Sequence, residues 1–106
     1  MSLDKLDVID AVGTDVRDGA VVLTVIDAWD WQDEAGHLQA LEDKLNVYFE
    51  FVESGQVHEA YPQAEGRPIR IEIVSRFEYP PDAANLVRKA SEVAGQLSMT
   101  VTHRRA

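Results

Sequence analysis

The stretch RPIRIEIVSRFE, residues 67–78, alternates apolar and polar side chains along its length. In an extended chain, successive side chains point to opposite faces. The apolar face comprises Ile69, Ile71, Ile73 and Phe77. This two-residue period predicts a β-strand with one face in a hydrophobic core and the other face open to solvent.

Helices are predicted on both sides of this strand. Before it, apolar residues recur at spacings of three, four and seven, which indicates a long amphipathic helix. Its apolar stripe comprises Trp31, Ala35, Leu38, Leu41, Leu45, Tyr48, Phe49 and Val52. Ser54-Gly55 is expected to end this helix, and the loop 56–67 to hold one short helical turn before Pro62. After the strand, Pro81 in YPPD (79–82) suits the first turn of a second helix.

Three further strands complete the predicted sheet. DVIDAVG (7–13) and AVVLTVID (20–27) are expected to form a hairpin, because Asp18-Gly19 between them suits a turn with a left-handed glycine. LSMTVTH (97–103) is the last strand. The order ββαβαβ predicts an α+β fold, a two-layer α/β sandwich whose four-stranded mixed sheet, in the order 1-2-3-4, carries both helices on one face. Residues 1–106 are predicted to form a single globular domain.

The charge of the chain is strongly negative and uneven. Nineteen acidic residues against ten Lys and Arg give a net charge of −9, which argues against nucleic-acid and membrane partners. Residues 1–66 hold 15 acids and 3 bases, whereas residues 67–106 hold 4 acids and 7 bases. We therefore expect an acidic face beside a smaller basic patch. The patch comprises Arg70, Arg76, Arg104 and Arg105.

Several functional classes lack their signatures. The chain has no cysteine, which excludes disulfides, thiolate metal sites and cysteine nucleophiles and is compatible with a cytoplasmic protein. Its first residues contain no apolar signal segment, and no apolar run approaches the roughly 20 residues of a membrane span. No G-x-S-x-G, P-loop or G-x-G-x-x-G motif occurs. A non-enzymatic protein without a cofactor is therefore predicted.

The acidic stretch DAWDWQDEAGHL, residues 27–38, is interpreted first as a helix start. Asp30 is the predicted N-cap, with Asp33 three residues later reaching back as in a capping box. Asp33 and Glu34 also lie at the positive end of the helix dipole. Trp31 then begins the buried stripe, and Glu34 is expected at the rim of the core.

A second interpretation makes the same stretch a ligand site. Asp30, Glu34 and His37 are spaced i, i+4, i+7 and so share one helical face, beside the indole of Trp29 or Trp31. Two carboxylates and an imidazole could bind a small molecule or a divalent metal. Because the helix lacks an HExxH-type pair, the structural role is favoured, and no metal ligand or catalytic residue is predicted.

A second apolar group lies off the main stripe of the long helix. Val47 and Phe51 belong to it, and two alternatives stay open. Val57 and Tyr61 of the following loop could cover Phe51, or the group could be an exposed contact surface. On the open sheet face, an apolar strip is likewise either covered by the protein itself or exposed as a contact surface. If it is exposed, it would suit dimerisation through the sheet face. This strip comprises Val22, Ile26 and Val74.

The ordered segments DVIDAVG, VVLTV, DW-DE--HL, DKLNVYFEFVESG, YP-A-G and IRIEIV, to about residue 97, resemble a family of small bacterial proteins of unknown function. The resemblance implies a bacterial single-domain protein in which the doublets Asp30-Trp31 and Asp33-Glu34 are part of the shared pattern. It implies no activity, so it assigns no catalytic residue.

The function predicted from these features is a non-enzymatic protein-binding or self-associating module. Its partner is a basic protein, or a second copy of the chain in a homodimer, and its acidic face would attract a basic partner by charge. That face comprises Asp30, Asp33, Glu34, Glu42, Asp43, Glu50 and Glu53. A toxin-neutralising immunity protein is one form this could take, by analogy of size and acidity. The alternative is a small-molecule or metal-binding domain at the rim of the long helix. The candidate binding residues are Asp30, Trp31, Asp33, Glu34, His37, Val47 and Phe51.

Overall fold

The computed structural model describes Leu3, Lys5 and residues 8–106. Its elements follow the predicted order ββαβαβ, with one short additional helix. They are β1 (Ala11–Thr14), β2 (Val21–Asp27), α1 (Glu34–Glu53), α2 (Gln56–Ala60), a 3-10 turn (Pro62–Ala64), β3 (Ile69–Ser75), α3 (Pro81–Gln96) and β4 (Met99–Arg105). The α+β fold class is confirmed. The strand predicted over residues 7–13 begins only at Ala11, and Asp7 lies outside the described residues.

The four strands form one mixed sheet in the order β1-β2-β3-β4, as predicted. β1 is antiparallel to β2, while β2, β3 and β4 are parallel to one another. Asp27, Ser75 and Arg105 are therefore register partners at the carboxyl edge of the sheet. Residues after these strands start from one edge, which is where parallel sheets commonly carry their sites.

The core lies between the sheet and the helices. The inward positions of β2 and β3 are buried in strict alternation, because successive side chains of a strand point to opposite faces. The core residues of these strands and of α1 are Val21, Leu23, Val25, Ile69, Ile71, Ile73, Leu41, Leu45, Tyr48 and Phe49. α3 contributes mainly small side chains, including Ala83, Ala90 and Ala94.

Glycines end the hairpin turn and α1 as predicted. Gly19 has a φ of 74° and Gly55 a φ of 85°, the left-handed region that disfavours residues with a Cβ atom. The Gly19 amide donates to the Asp15 carbonyl at 2.8 Å, which closes the turn. Gly55 follows Ser54, the C-cap of α1.

The structure corrects the predicted start of the long helix. α1 begins at Glu34, and its N-cap is Asp33, whose carboxylate accepts a hydrogen bond from the Gly36 amide at 3.1 Å. The prediction that Asp30 is the N-cap, and that Trp31 begins the helical stripe, was wrong. The Asp30 carbonyl accepts from the His37 ring instead, which holds the preceding loop out of the helix.

The inward face of α1 holds two basic side chains that the predicted stripe omitted. His37 and Lys44 are both buried, whereas Ala35 of the predicted stripe is exposed. The Lys44 ammonium donates to the Val8 carbonyl at 2.7 Å and lies 3.2 Å from the Asp10 carboxylate. This buried amine therefore joins α1 to the segment before β1.

The apolar alternation of β3 stops earlier than predicted. β3 ends at Ser75, whose side chain is buried, and Phe77 is 38% exposed rather than inward-facing. The Arg76 amide makes the last hydrogen bond to β2, at the Asp27 carbonyl, and the chain then leaves the sheet through residues 76–80, which lead into α3. Two-residue alternation applies only while the chain stays extended.

The uncovered sheet face is mixed in character. Ile26 is 45% exposed there, while Val22 and Val74 are half-buried. Two of the four arginines of the predicted basic patch form ion pairs: Arg70 pairs with Asp15 and Asp18, and Arg104 with Glu72. The corresponding N···O distances are 2.8, 3.2 and 3.2 Å. Within the described part of the chain, no helix combines the length and apolarity needed to cross a bilayer.

Candidate functional site

A buried polar cluster lies at the carboxyl edge of the parallel strands. Asp27 ends β2 at an inward-facing position and is only 1% exposed. Its carboxylate accepts from the His37 Nε2 at 2.7 Å, from the Tyr79 hydroxyl at 2.6 Å and from the Trp29 amide at 3.1 Å. These donors come from α1, the loop after β3 and the loop after β2, so one carboxylate joins three segments.

The hydrogen-bond partners of His37 determine where its protons lie. Nδ1 is 2.9 Å from the Asp30 carbonyl, which can only accept, so Nδ1 carries a proton. Nε2 faces the Asp27 carboxylate, which also receives the Tyr79 hydroxyl proton. The His37 ring and the Asp27 side chain therefore form a buried hydrogen-bonded pair.

Aromatic rings enclose this pair. The Trp31 ring stacks on His37 with centroids 3.6 Å apart and planes inclined by 16°, and Trp29 meets the same ring edge-on at 5.6 Å. Stacking of an indole on a protonated imidazole adds a cation–π attraction. Trp31 thus has a structural contact, although its buried Nε1 has no hydrogen-bond partner within the described residues.

Tyr79 links the pair to a second histidine. Its ring stacks on His103 at 4.1 Å, and His103 Nε2 lies 2.7 Å from the Ser75 hydroxyl. Burial, together with the Asp27 charge that its hydroxyl faces, raises the pKa of Tyr79 far above its usual range, so its hydroxyl remains a donor. Burial lowers the pKa of His103, and the Asp27 charge opposes that shift.

The cluster has little capacity for chemistry as it stands. Both ring nitrogens of His37 are engaged, so neither offers a lone pair to a metal or a proton. Ser75 has a histidine partner, as an activated nucleophile would, but it is only 1% exposed. Among the described residues, no group of three or more His, Asp or Glu side chains could hold a metal ion. The cluster therefore acts as a scaffold.

Three of the predicted ligand-site residues, Asp30, Asp33 and His37, line one cavity, whereas Glu34 is not part of its lining. Asp30, Asp33 and Glu34 are exposed, whereas His37 points into the cluster. Glu34 lies at the rim in the first turn of α1, as predicted. Beside Trp29 there is a cavity of about 320 Å³. Its lining comprises Ala28, Trp29, Asp30, Asp33 and His37.

Val47 and Phe51, the predicted second apolar group of α1, are both half-buried. The Tyr61 ring meets Phe51 edge-on at 6.4 Å, and Val57 of α2 is fully buried. Phe51 was expected either to be covered by the following segment or to be an exposed contact surface. In the structure, the segment after α1 covers it.

The acidic face is defined by the seven carboxylates of Asp30, Asp33, Glu34, Glu42, Asp43, Glu50 and Glu53. Six are exposed, and Asp43 is half-buried. None forms an ion pair with a cation of the described residues, whose ion pairs involve other acids. The Arg side chains of the second half of the chain thus neutralise the hairpin turn and the sheet, and leave α1 acidic.

An apolar groove of about 480 Å³, the α1–α3 groove, separates the outer surfaces of the two long helices. Its floor comprises Leu38, Leu45, Phe49, Leu86, Ala90 and Val93. Its rim comprises Glu42, Asn46, Asp82, Asn85 and Lys89. Val93 is 45% exposed, so this apolar surface is open to solvent.

Comparison with known proteins identifies the family to which the chain belongs. A family model described as a family of unknown function, DUF6572, matches residues 1–106. The chain belongs to this family. Membership of DUF6572 confirms the resemblance to small proteins of unknown function. No curated protein and no solved structure matches the chain.

In this DUF6572 protein, the sequence interpretation missed the network of Asp27, His37 and Tyr79. One signal for it was available. The alternation Val21, Leu23, Val25 continues to Asp27, which places that carboxylate on the inward face. A buried carboxylate requires donors, and the nearby histidine was a candidate.

Proposed function

We propose that this protein is a non-enzymatic binding module of the bacterial cytoplasm that holds a basic protein partner through its acidic face. The observation that carries the proposal is the absence of any ion pair between the seven carboxylates of this face and the described cations. A surface that the protein does not neutralise itself is available to a partner of opposite charge.

The physical basis is electrostatic steering. Complementary charge raises association rates from about 10⁵–10⁶ M⁻¹s⁻¹ to as much as about 10⁸–10⁹ M⁻¹s⁻¹ at low salt. Such an interaction weakens as salt rises, because the Debye length falls to about 8 Å at physiological ionic strength. An immunity protein that neutralises a basic toxin is one form of this function.

A non-enzymatic role is supported by the buried cluster. Its carboxylate, imidazole and tyrosine hydroxyl are hydrogen-bonded to one another, and the serine beside His103 is buried. An acid, base or nucleophile must reach a substrate in order to act on it. These groups instead hold loops to the sheet.

Two matched triple variants test the acidic face. Asp43→Asn/Glu50→Gln/Glu53→Gln removes three charges from α1, and Glu59→Gln/Glu65→Gln/Glu78→Gln removes three exposed charges elsewhere. A partner is first captured from a lysate of the native host, identified and purified, and its binding is then measured as a function of salt. We expect the α1 variant to lose most of the salt dependence and the control to keep it.

Equal effects of the two triple variants would show that only net charge matters. Binding that is indifferent to salt would contradict a charge-led partner. Circular dichroism of both variants establishes that they are folded.

A small-molecule site is the second candidate, and the cavity beside Trp29 favours it. An aromatic wall next to the Asp30 and Asp33 carboxylates suits an organic cation. Melting temperatures measured across a set of metabolites and divalent metals test it, since a ligand present at 100 times its Kd stabilises by about 2.7 kcal/mol. A flat screen would remove this candidate.

Self-association is the remaining form of protein binding. The uncovered sheet face, with Ile26 45% exposed, is the surface that would carry a homodimer. Light scattering coupled to size exclusion, for the native chain and for Ile26→Lys, tests it. A monomeric mass at all concentrations would exclude the homodimer.

A further inference from the structure

We propose that the α1–α3 groove binds an amphipathic, positively charged helix of a partner protein, with the apolar side of that helix on the groove floor. This inference rests on the proposed function and deepens it, because it names the part of the partner that is recognised. The acidic face would attract the partner, and the groove would hold it.

Apolar side chains line the groove along both helices. α1 and α3 both connect parallel neighbouring strands, so they run side by side in the same direction across the sheet. Floor residues recur at helical spacing on both, as Leu38, Leu45 and Phe49 on α1 and Leu86, Ala90 and Val93 on α3. Helix-in-groove recognition uses an apolar channel of this kind.

The apolar floor is not fully covered by the protein itself. Val93 on α3 is 45% exposed, and Leu38 on α1 and Leu86 on α3 are half-buried. Exposed apolar surface rimmed by polar side chains commonly marks a contact site.

The charged side chains at the rim of the groove favour a positively charged occupant. Glu42 on α1 and Asp82 at the start of α3 form no ion pair with a described cation, and Lys89 is the one cation among the lining residues. Glu50 lies one helical turn after the rim residue Asn46 and adds a further negative charge near it. Lys or Arg flanking an apolar stripe would complement this rim, whereas acidic flanks would be repelled.

A second copy of this chain is a poor match for the groove. Its α1 presents the acidic face, so docking it would bring like charges together at the rim. The charge therefore favours a different, basic protein.

The test uses the full-length, isotope-labelled chain and a synthetic peptide probe. The probe is a helix of about 18 residues, about five turns, built from Leu and Lys with helical periodicity. A scrambled peptide of the same composition and a Leu/Glu peptide of the same pattern are the comparison probes. Backbone NMR shifts locate each peptide, and fluorescence anisotropy gives its Kd.

Val93→Lys and Ala84→Lys form the matched pair of variants. Both positions are exposed on α3 and both changes add one Lys, but only Val93 lines the groove. We expect the patterned Leu/Lys peptide to shift resonances of groove residues such as Asn46 and Asn85. We also expect Val93→Lys to weaken its binding about tenfold, with Ala84→Lys within about twofold of the native chain.

Three results would overturn the groove proposal. The scrambled or the Leu/Glu peptide could bind as tightly, the shifts could map to the uncovered sheet face, or both lysine variants could weaken binding equally. Dimerisation through the groove, seen by light scattering and abolished by Val93→Lys, would replace the proposed occupant by a second copy.

The groove and the acidic face fail in distinguishable ways. If Asp43→Asn/Glu50→Gln/Glu53→Gln abolishes binding of the purified native partner and Val93→Lys does not, the proposed function stands and the groove proposal is wrong. If the patterned peptide occupies the groove but the α1 triple variant binds the native partner as tightly as the native chain does, the groove proposal stands. The proposed function through the acidic face is then wrong.

Discussion

At the scale of single residues, the most consequential contact is the buried pair of Asp27 and His37. A buried ion pair stabilises a fold only when each charge keeps its hydrogen bonds, because desolvation costs several kcal/mol per ion. Here the Asp27 carboxylate has three hydrogen-bond partners and the His37 ring has two. Removing one partner therefore costs more than the pair contributes in total.

His37→Ala is expected to lower the free energy of unfolding by roughly 3–5 kcal/mol, because it leaves a buried carboxylate without its counter-ion. Tyr79→Phe removes one hydrogen bond to that carboxylate and should cost roughly 1.5–3 kcal/mol. Urea denaturation measures both. Asp27→Ala/His37→Ala should cost less than the sum of the two single changes, and strict additivity would argue against a coupled pair.

His103 makes the stability depend on pH. Burial lowers its pKa in the folded chain below the unfolded value of about 6.5, so the unfolded chain binds the proton more tightly. Its contribution is complete above about pH 6.5 and is lost as the pH falls from there through the folded pKa. His103→Gln, which can still bond Ser75, should flatten this part of the stability profile.

The control for this prediction is His58→Gln, at an exposed position of α2. Denaturation midpoints of the three proteins between about pH 7 and pH 5 give the comparison. A His103→Gln profile parallel to that of the native chain would contradict the assignment to His103.

At the scale of elements, a helix end could be predicted from sequence only where the residue there has a single common structural role. A glycine after an amphipathic stripe has few roles other than a left-handed cap, and Gly55 ends α1 as expected. The start of α1 offered two aspartates, both with the right chemistry, at positions 30 and 33. The contact of His37 with the Asp30 carbonyl, formed only on folding, decided between them.

Two glycines in helical regions should respond oppositely to alanine. Gly55→Ala places a Cβ at a φ of 85° and should destabilise by roughly 1–2 kcal/mol. Gly95 lies within α3 and its Cβ would meet nothing within 4 Å, so Gly95→Ala should stabilise by roughly 0.5–1 kcal/mol. Thermal denaturation measures both, and a shift of the same sign for the two variants would contradict this account.

At the scale of the whole molecule, the fold distributes charge unevenly. Arg70 pairs with Asp15 and Asp18 and so neutralises part of the acidic first half, while Arg104 pairs with Glu72 of the neighbouring strand. They do not reach α1, because Arg70 and Arg104 project from the uncovered sheet face whereas α1 lies on the other layer. The acidic face is therefore a consequence of topology as well as of composition.

Added salt should stabilise this protein. With a net charge of −9, the folded state carries self-repulsion that salt screens, and the Debye length falls from about 30 Å at 0.01 M to about 8 Å at 0.15 M. We expect a gain of about 1 kcal/mol or less over this range in urea denaturation. The gain should be smaller in Asp43→Asn/Glu50→Gln/Glu53→Gln than in Glu59→Gln/Glu65→Gln/Glu78→Gln, and equal gains would contradict a concentrated acidic face.

The sequence alone determined the element order and the α+β class, because periodicity and turn chemistry are local signals, whereas the structure fixed the strand order. It also determined the net charge and the positions of the seven acidic side chains of α1 and its approach. Only the tertiary structure decided that His37 and Lys44 are buried and that Asp33 caps α1. It also decided that Phe77 is exposed. The physical reason is that a polar side chain can be buried only when distant segments supply its partners, as Tyr79 does for Asp27 and the Val8 carbonyl for Lys44.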